Sequence, residues 1–269
     1  MRTRCAQKSR RAFTLIELLV VVSIIALLIG ILLPALGRAR RSAKTLECLA
    51  NMRGMEVAHA TYMSENKGRF VNAGLSHSGG PGAENPDFSW VKTLDAYYGT
   101  PLLRRSPVDD SPHWETPVPG VGRLRTSSYG INNFLADVVN NGQNPYGPAP
   151  TSWNSTSMGA WPGADGNAFN RIERVPRPSA TVHFLMMAYT GSFAASDHVH
   201  ADDWLSSANP YMAAAGQAQT NAHGGEFRQA SAVSNWGFLD GHAETAPLSE
   251  LIRQPIPLRN NRFNPVFAQ

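Results

Sequence analysis

Phe13-Thr14-Leu15-Ile16-Glu17 opens the stretch that decides how this chain is built. A basic leader with Arg2, Arg4, Lys8, Arg10 and Arg11, and no acid, comes before it. Residues 18–33 follow, a run of Leu, Ile, Val and Ala interrupted only by Ser23 and Gly30. From Phe13 to Leu33 there are 21 residues. As a helix they extend about 31 Å, enough to span a hydrocarbon core. Glu17 therefore sits inside a membrane helix, where an isolated carboxylate costs several kcal/mol, and a functional reason for it is the default. A secretory signal has a shorter apolar core, roughly 7–15 residues, and a small-residue cleavage site after it. Here Gly30, Pro34, Ala35 and Gly37 make only a weak site of that kind, and the more suggestive junction lies before the core, between Ala12 and Phe13.

Pro34 lacks an amide hydrogen and crowds the carbonyl of Gly30, so a kink or local melting is expected between Gly30 and Pro34. A second reading, that Pro34 marks the exit from the bilayer, stays open. Beyond it Leu36, Ala39, Ala43, Leu46 and Ala50 recur at steps of three and four, and the stripe drifts onto Leu49, Met52, Met55 and Tyr62 or Met63. That is an amphipathic helix, with Gly68 as its stop. The expected organisation is a leader at 1–12, a transmembrane helix at 13–34, its amphipathic continuation at 35–68, and a soluble domain at 69–269.

The formal charge of +4 hides an asymmetry. Residues 1–53 hold ten Lys or Arg against Glu17 and Glu47, a net +8, and the rest of the chain carries −4. The basic balance belongs to the membrane-proximal arm and gives no reason to expect nucleic acid. Arg38, Arg40, Arg41 and Lys44 follow the span and suit lipid phosphates. Five cations before the span and four after it leave orientation undecided by charge alone. Of the two cysteines, Cys5 lies in the leader and Cys48 on the helix, where it reads as a small buried hydrophobe.

Residues 11–20, Arg-Ala-Phe-Thr-Leu-Ile-Glu-Leu-Leu-Val, resemble the processing signature of type IV prepilins and type II secretion pseudopilins. The resemblance implies that a prepilin peptidase cuts between Ala12 and Phe13 and methylates the new amine of Phe13. Glu17 becomes the fifth residue of the processed chain. It also implies a cytoplasmic leader, a single-pass inner-membrane protein with its C-terminal domain in the periplasm, and contacts with other pilin or pseudopilin subunits and an inner-membrane assembly platform. Ala12 departs from the usual Gly before the cut. The pairing has a physical basis: a carboxylate in lipid is matched by the α-ammonium of a neighbouring subunit, which removes two uncompensated charges and sets the axial register.

A wider resemblance covers most of the chain. Cys48-Leu49-Ala50-Asn51-Met52-Arg53, Gly68-Arg69-Phe70, Trp90 to Tyr98, Ser128-Tyr129-Gly130-Ile131-Asn132 and Arg177-Pro178-Ser179-Ala180-Thr181 are similar to landmarks of pilin-like proteins abundant in planctomycete-type bacteria. Those proteins end in a His…Asp-Gly motif, matched here by His223-Gly224-Gly225 and Asp240-Gly241-His242. Sixteen residues separate His223 from Asp240 where the usual pattern has nine. Ser106-Pro107 stands where the group often has Cys-Pro.

The expected fold is α+β, a long N-terminal helix on a mainly antiparallel sheet. Thr181 to Met187 reads as a strand, and Asp240-Gly241 as the turn of a hairpin between Trp236–Leu239 and His242–Ala246. Residues 140–168, rich in Asn, Gly, Pro and Ser and holding Trp153 and Trp161, read as a long loop or insertion.

Asp197-His198-Val199-His200-Ala201-Asp202-Asp203 is the best candidate for metal chemistry, alone or with His223, Asp240 and His242. Its spacing matches no ligand frame, and a polar surface loop explains it equally well. The expectation is therefore no cofactor and no metal, with one exception held open. The pseudopilin resemblance admits a structural calcium, for which Asp202, Asp203 and Asp240 are the candidate ligands. No nucleophile elbow, phosphate loop or dinucleotide glycine pattern is present, so the chain is not expected to be an enzyme. The leading reading is a structural filament subunit. A non-polymerising, membrane-tethered binding module using the 140–168 loop is the alternative, and a tethered metalloenzyme the third.

Overall fold

A run of apolar residues without helix breakers other than Gly30 and Pro34 gives one long helix, α1, over Leu15–Glu65. The computed structural model describes residues 15–75, 77, 86–99, 104–135, 169–253, 261–265 and 268. The leader, the junction of Ala12 and Phe13, and the 140–168 loop with Trp153 and Trp161 lie outside these residues. The chain divides into two compact units, Met1–Lys44 and Thr45–Gln269.

The described part of the first unit is helix alone. The helix continues through Gly30 and Pro34 without local melting, although Pro34 has no amide hydrogen to give the Gly30 carbonyl. From Leu15 to Leu36 the large apolar side chains are 45–80% exposed on every side of the helix. The Ser23 hydroxyl donates to the Leu19 carbonyl at 2.8 Å, so this polar side chain is satisfied within its own helix.

In the second unit α1 buries Cys48, Met52, Met55, Glu56, Ala58, His59 and Met63. The intervals of four and three are those of one helical face. This corrects the expected stripe: Leu46 is 65% exposed and Ala50 is exposed too, so the buried edge begins at Cys48. The helix ends where the glycine signal places it. Lys67 and Gly68 take φ of 58° and 74°, and the Gly68 amide donates to the Met63 carbonyl at 2.8 Å. A Cβ on Gly68 would lie 2.5 Å from Glu173 Oε1, a second reason for glycine here.

Among the described residues five strands form one sheet: β1 (Tyr129–Asn132), β2 (Val182–Met186), β3 (His198–Val199), β4 (Val233–Phe238) and β5 (Ala243–Pro247). Their order is β3-β1-β2-β4-β5. Three pairings are antiparallel, and β1 with β3 is parallel, with Ile131 opposite His198. The expected α+β class with a mainly antiparallel sheet holds, the β1–β3 pairing being the parallel one. The expected hairpin is there too: Gly237 pairs with Ala243, and Gly241 takes φ of 99° in the turn.

One sheet face carries Tyr129, Ile131, Phe184 and Met186 against Cys48, Met52 and Met55 of α1 and Trp90 of the short helix α2 (Trp90–Thr93). The other carries Leu185, Met187 and Trp236 against helices α3 (Ala201–Ser206), α4 (Pro210–Gln217) and α5 (Leu248–Leu251). A register shift between Val182 and Leu185 interrupts the alternation of β2. It lets two consecutive residues, His183 and Phe184, both reach α1, as a bulge does. Complete burial of side chains such as Met52, Met55 and Leu185 stabilises the unit by about 1.5–3 kcal/mol each.

Arg125 is a fully buried strut. Its Nε donates to Asp109 Oδ2 at 2.7 Å, and its two Nη groups reach the carbonyls of Ala188, Ala194, Ser128 and Met187. One guanidinium thus ties the 104–128 segment to the residues just after β2 and to the 192–195 turn.

Candidate functional sites

The N-terminal helix is the first site. It is long and apolar enough to cross a membrane, and Glu17 lies exposed in its first described turn. Large apolar side chains exposed all round a helix call for lipid or for other helices around it. Ala12 and Phe13 fall outside the described residues.

The C-terminal motif is split by the fold. The His223 amide donates to the Val233 carbonyl at the start of β4, and its Nδ1 lies 3.1 Å from Thr45 Oγ1 on α1. Asp240 sits beyond the other end of β4, so a strand of six residues, about 17 Å, separates the two. The intervening sixteen residues are a turn region and β4. Asp240, Gly241 and His242 lock the β4–β5 turn. Asp240 Oδ1 accepts from the His242 amide at 3.2 Å and lies 2.5 Å from His242 Nδ1, while the His242 ring stacks on Phe238 with centroids 4.2 Å apart. His223 is held well under the ordinary imidazole range, at about 4, by burial.

Two clusters of ligand-type side chains occur among the described residues. The first, Glu56, His59 and His183, lies wholly in the core between α1 and β2. Glu56 Oε2 is 3.0 Å from His183 Nδ1, and His59 Nε2 accepts from the Val71 amide at 3.4 Å. Burial pushes the Glu56 carboxyl well above the usual carboxylate range. It holds His59 well below the usual imidazole range, helped by the neighbouring His183, and brings His183 down to about 3. Both partners shed charge in the dry core, so the pair is best described as sharing one proton.

The second cluster takes two residues of the expected 197–203 run and adds one from elsewhere. His198 on β3 and His200 just after it converge with His77, from the segment that follows α1. His200 Nε2 lies 3.1 Å from His198 Nε2 and 3.2 Å from His77 Nε2. Asp197 organises the group rather than joining it. Its Oδ2 accepts from the Gly74 amide and the Ser89 hydroxyl, and its Oδ1 faces the Leu75 amide and His198 Nδ1, each at 3.0 Å. Burial lowers His77, and brings His200 to about 3 with the His198 and His77 charges adding to it. Asp203 meets Gln217 Nε2 at 3.4 Å, and the Asp202 side chain is outside what is described.

Neither His223 nor Asp240 and His242 join this cluster. It stands at the β3 edge of the sheet, whereas they flank β4 and the β4–β5 turn, three and four strands across. Sequence reasoning missed Glu56, His59, His77 and His183. Four of the eight histidines of the chain thus sit beside a carboxylate or another histidine in these two clusters before His200 is counted.

Residues 7–33 match the model of the prokaryotic N-terminal methylation motif. No curated protein sequence and no solved structure matches the chain. The matched segment contains the junction of Ala12 and Phe13, Glu17 and the exposed apolar part of α1, and it gives the chain the N-terminus of a pilin-like, membrane-anchored protein.

Proposed function

We propose that this chain is a structural subunit of a type II secretion or type IV pilus-like filament, not an enzyme. The observation that carries the reading is the coincidence of the methylation motif at 7–33 with a helix whose apolar side chains are exposed on all sides. A prepilin peptidase cuts after Ala12 and methylates Phe13. The processed helix stays in the inner membrane until an assembly platform draws it into a bundle of identical helices. There the exposed apolar side chains pack on their neighbours, and Glu17 meets the amine of an adjacent Phe13. Gly30 and Pro34 supply the place where the helix bends on leaving lipid. The second unit is carried on the periplasmic side. Membership of the pilin-like group with the C-terminal His…Asp-Gly motif belongs to the same proposal, with His223, Asp240, Gly241 and His242 bracing α1 and the β4–β5 turn rather than acting chemically.

In-cell cross-linking of the unaltered chain against Glu17→Ala tests this reading. The unaltered chain is expected to give a ladder of multimers. The variant is expected to remain in the membrane fraction and lose the ladder. Identical ladders from both would refute assembly through Glu17, and none from either would favour a tethered binding module that does not polymerise.

A further inference from the structure

We propose that His77, His198 and His200 form a three-nitrogen site for a divalent transition-metal ion, zinc foremost. The site lies at the β3 edge of the sheet, away from α1, and serves a purpose separate from filament assembly.

Proton placement carries much of the case. Each ring nitrogen has a single in-plane position, which holds either a proton or a lone pair. His198 Nδ1 faces the Asp197 carboxylate at 3.0 Å, an acceptor, so the His198 proton sits on Nδ1 and its Nε2 presents a lone pair. That lone pair meets His200 Nε2 at 3.1 Å, and the same His200 nitrogen meets His77 Nε2 at 3.2 Å. One nitrogen cannot satisfy both contacts with a straight hydrogen bond, because it has either one proton or one lone pair to offer. A single cation at the convergence satisfies three lone pairs at once.

The dimensions agree. Nitrogen ligands about 2.0–2.1 Å from zinc at the corners of a tetrahedron stand about 3.3–3.4 Å apart. Two of the three separations here are 3.1 and 3.2 Å, and all three atoms lie within 4.8 Å of one another.

The surroundings are those of a built site. A metal-bound histidine characteristically donates its second N–H to a carboxylate, which fixes tautomer and ring orientation. Asp197 does this for His198, and by holding the Gly74 and Leu75 amides it also positions the segment that delivers His77. The His77 ring lies flat on Phe193, with centroids 4.1 Å apart, and the His200 amide donates to Gln217 Oε1 on α4. Four chain segments converge on three nitrogens. His77 and His200 are half-buried, which leaves an ion a way in, whereas the Glu56, His59 and His183 cluster is sealed within the core.

Imidazole nitrogen selects zinc, copper, nickel or iron(II), while calcium and magnesium take oxygen ligands. The ion would therefore differ in kind from a calcium held by Asp203 or Asp240. Three protein ligands leave a fourth position for water or an external ligand. The ion would pin the segment after α1 onto β3, a two-residue edge strand with little pairing of its own.

The full-length protein, purified in detergent without added histidines and stripped with chelator, is titrated with Zn²⁺ alone. Stoichiometry is read by elemental analysis, and geometry by the visible spectrum of the Co²⁺ form. One equivalent of Zn²⁺ is expected, with tetrahedral Co²⁺ bands and a raised Tm, and no response to Ca²⁺. His77→Gln and His200→Gln are each expected to weaken Zn²⁺ binding more than the about 10–100-fold that loss of an outer hydrogen-bond partner costs. Their metal-free unfolding should match that of the unaltered chain, which separates lost binding from lost folding. Sub-stoichiometric uptake by the unaltered chain, or binding unchanged in a variant that folds normally, would overturn the proposal. Should His200→Gln fail to fold, His77→Gln on its own decides between these outcomes.

Discussion

Glu56 is a carboxyl in a place where charge is expensive, and Glu56→Gln turns that into a measurable pH dependence. Around it stand His59 on α1 and His183 on β2, with Asp240 and His242 acting at longer range. Burial raises the folded carboxyl well above 4.5, its value when exposed. Between 4.5 and that raised value the folded chain holds a proton that the unfolded chain has released. A folded state that binds the extra proton loses stability as pH rises. His183 acts in the opposite sense. Its folded value is about 3 against 6.5, so it takes stability away as pH falls from 6.5 towards 3. Between 4.5 and 6.5 the two contributions cancel. Above 6.5 His183 is neutral in both states, and so are the other lowered histidines, His59, His77, His200 and His223. Cys48 and the buried tyrosines titrate only from 9.0 and 10.0 upward.

Gln keeps the shape of Glu without the proton. The stability of Glu56→Gln relative to the unaltered chain should therefore climb by about 1.4 kcal/mol for each pH unit above 4.5 over which the folded carboxyl keeps its proton. The assay is denaturant unfolding of both full-length chains in detergent at pH 5, 6, 7 and 8. It is followed by fluorescence of the fully buried Trp90, Trp204 and Trp236. Two curves that stay parallel across this range would mean that the carboxyl lies in the core as a bare anion, and the burial reasoning would be refuted.

Two glycines with positive φ should respond differently to alanine. Gly225→Ala places a Cβ 1.8 Å from the Ser231 carbonyl oxygen at φ of 70°, so the turn must move, and a loss above about 3 kcal/mol is expected in the same unfolding assay. Gly241→Ala at φ of 99° has open space around the new Cβ and should cost about 1–2 kcal/mol, from the backbone alone. Arg125→Met strips the cation from buried Asp109 and the donors from four carbonyls. A loss of about 3–5 kcal/mol is expected, and Asp109→Asn in the same background should recover part of it if the stranded charge is the main cost.

What could be read in the sequence was what local patterns encode. The apolar run, the glycine stop at Gly68 and the Asp240-Gly241 hairpin all depend on residues within a few positions of one another, and all appear in the fold. Cys48 reads as a buried hydrophobe and is one, with burial raising its thiol. The stripe on α1 is right at Met52, Met55 and Met63 and wrong at Leu46 and Ala50, and it leaves out Glu56 and His59. These two belong to the buried face, whereas polar side chains on a helix ordinarily mark the solvent side. Their partner His183 is 127 residues from Glu56 along the chain. His77 is hidden in the same way. It is a single histidine in a Gly- and Ser-rich stretch, 123 residues before His200, brought there by the amides of Gly74 and Leu75 on Asp197. The parallel pairing of β3 with β1 has no local signature either, since its strands are separated by a long stretch of chain and meet over two residue pairs. A cue for the core cluster does exist in hindsight: His183 interrupts an otherwise apolar strand, which demands a polar partner on whatever packs against it.

The central claim is that this chain is a processed, pilin-like subunit, and the mass of its N-terminal peptide in protein isolated from native membranes tests that most directly. A peptide beginning at Phe13 with one added methyl group is the predicted result. A chain that begins at Met1, with residues 1–12 retained and no methylation, would contradict the claim and leave α1 as a simple membrane anchor.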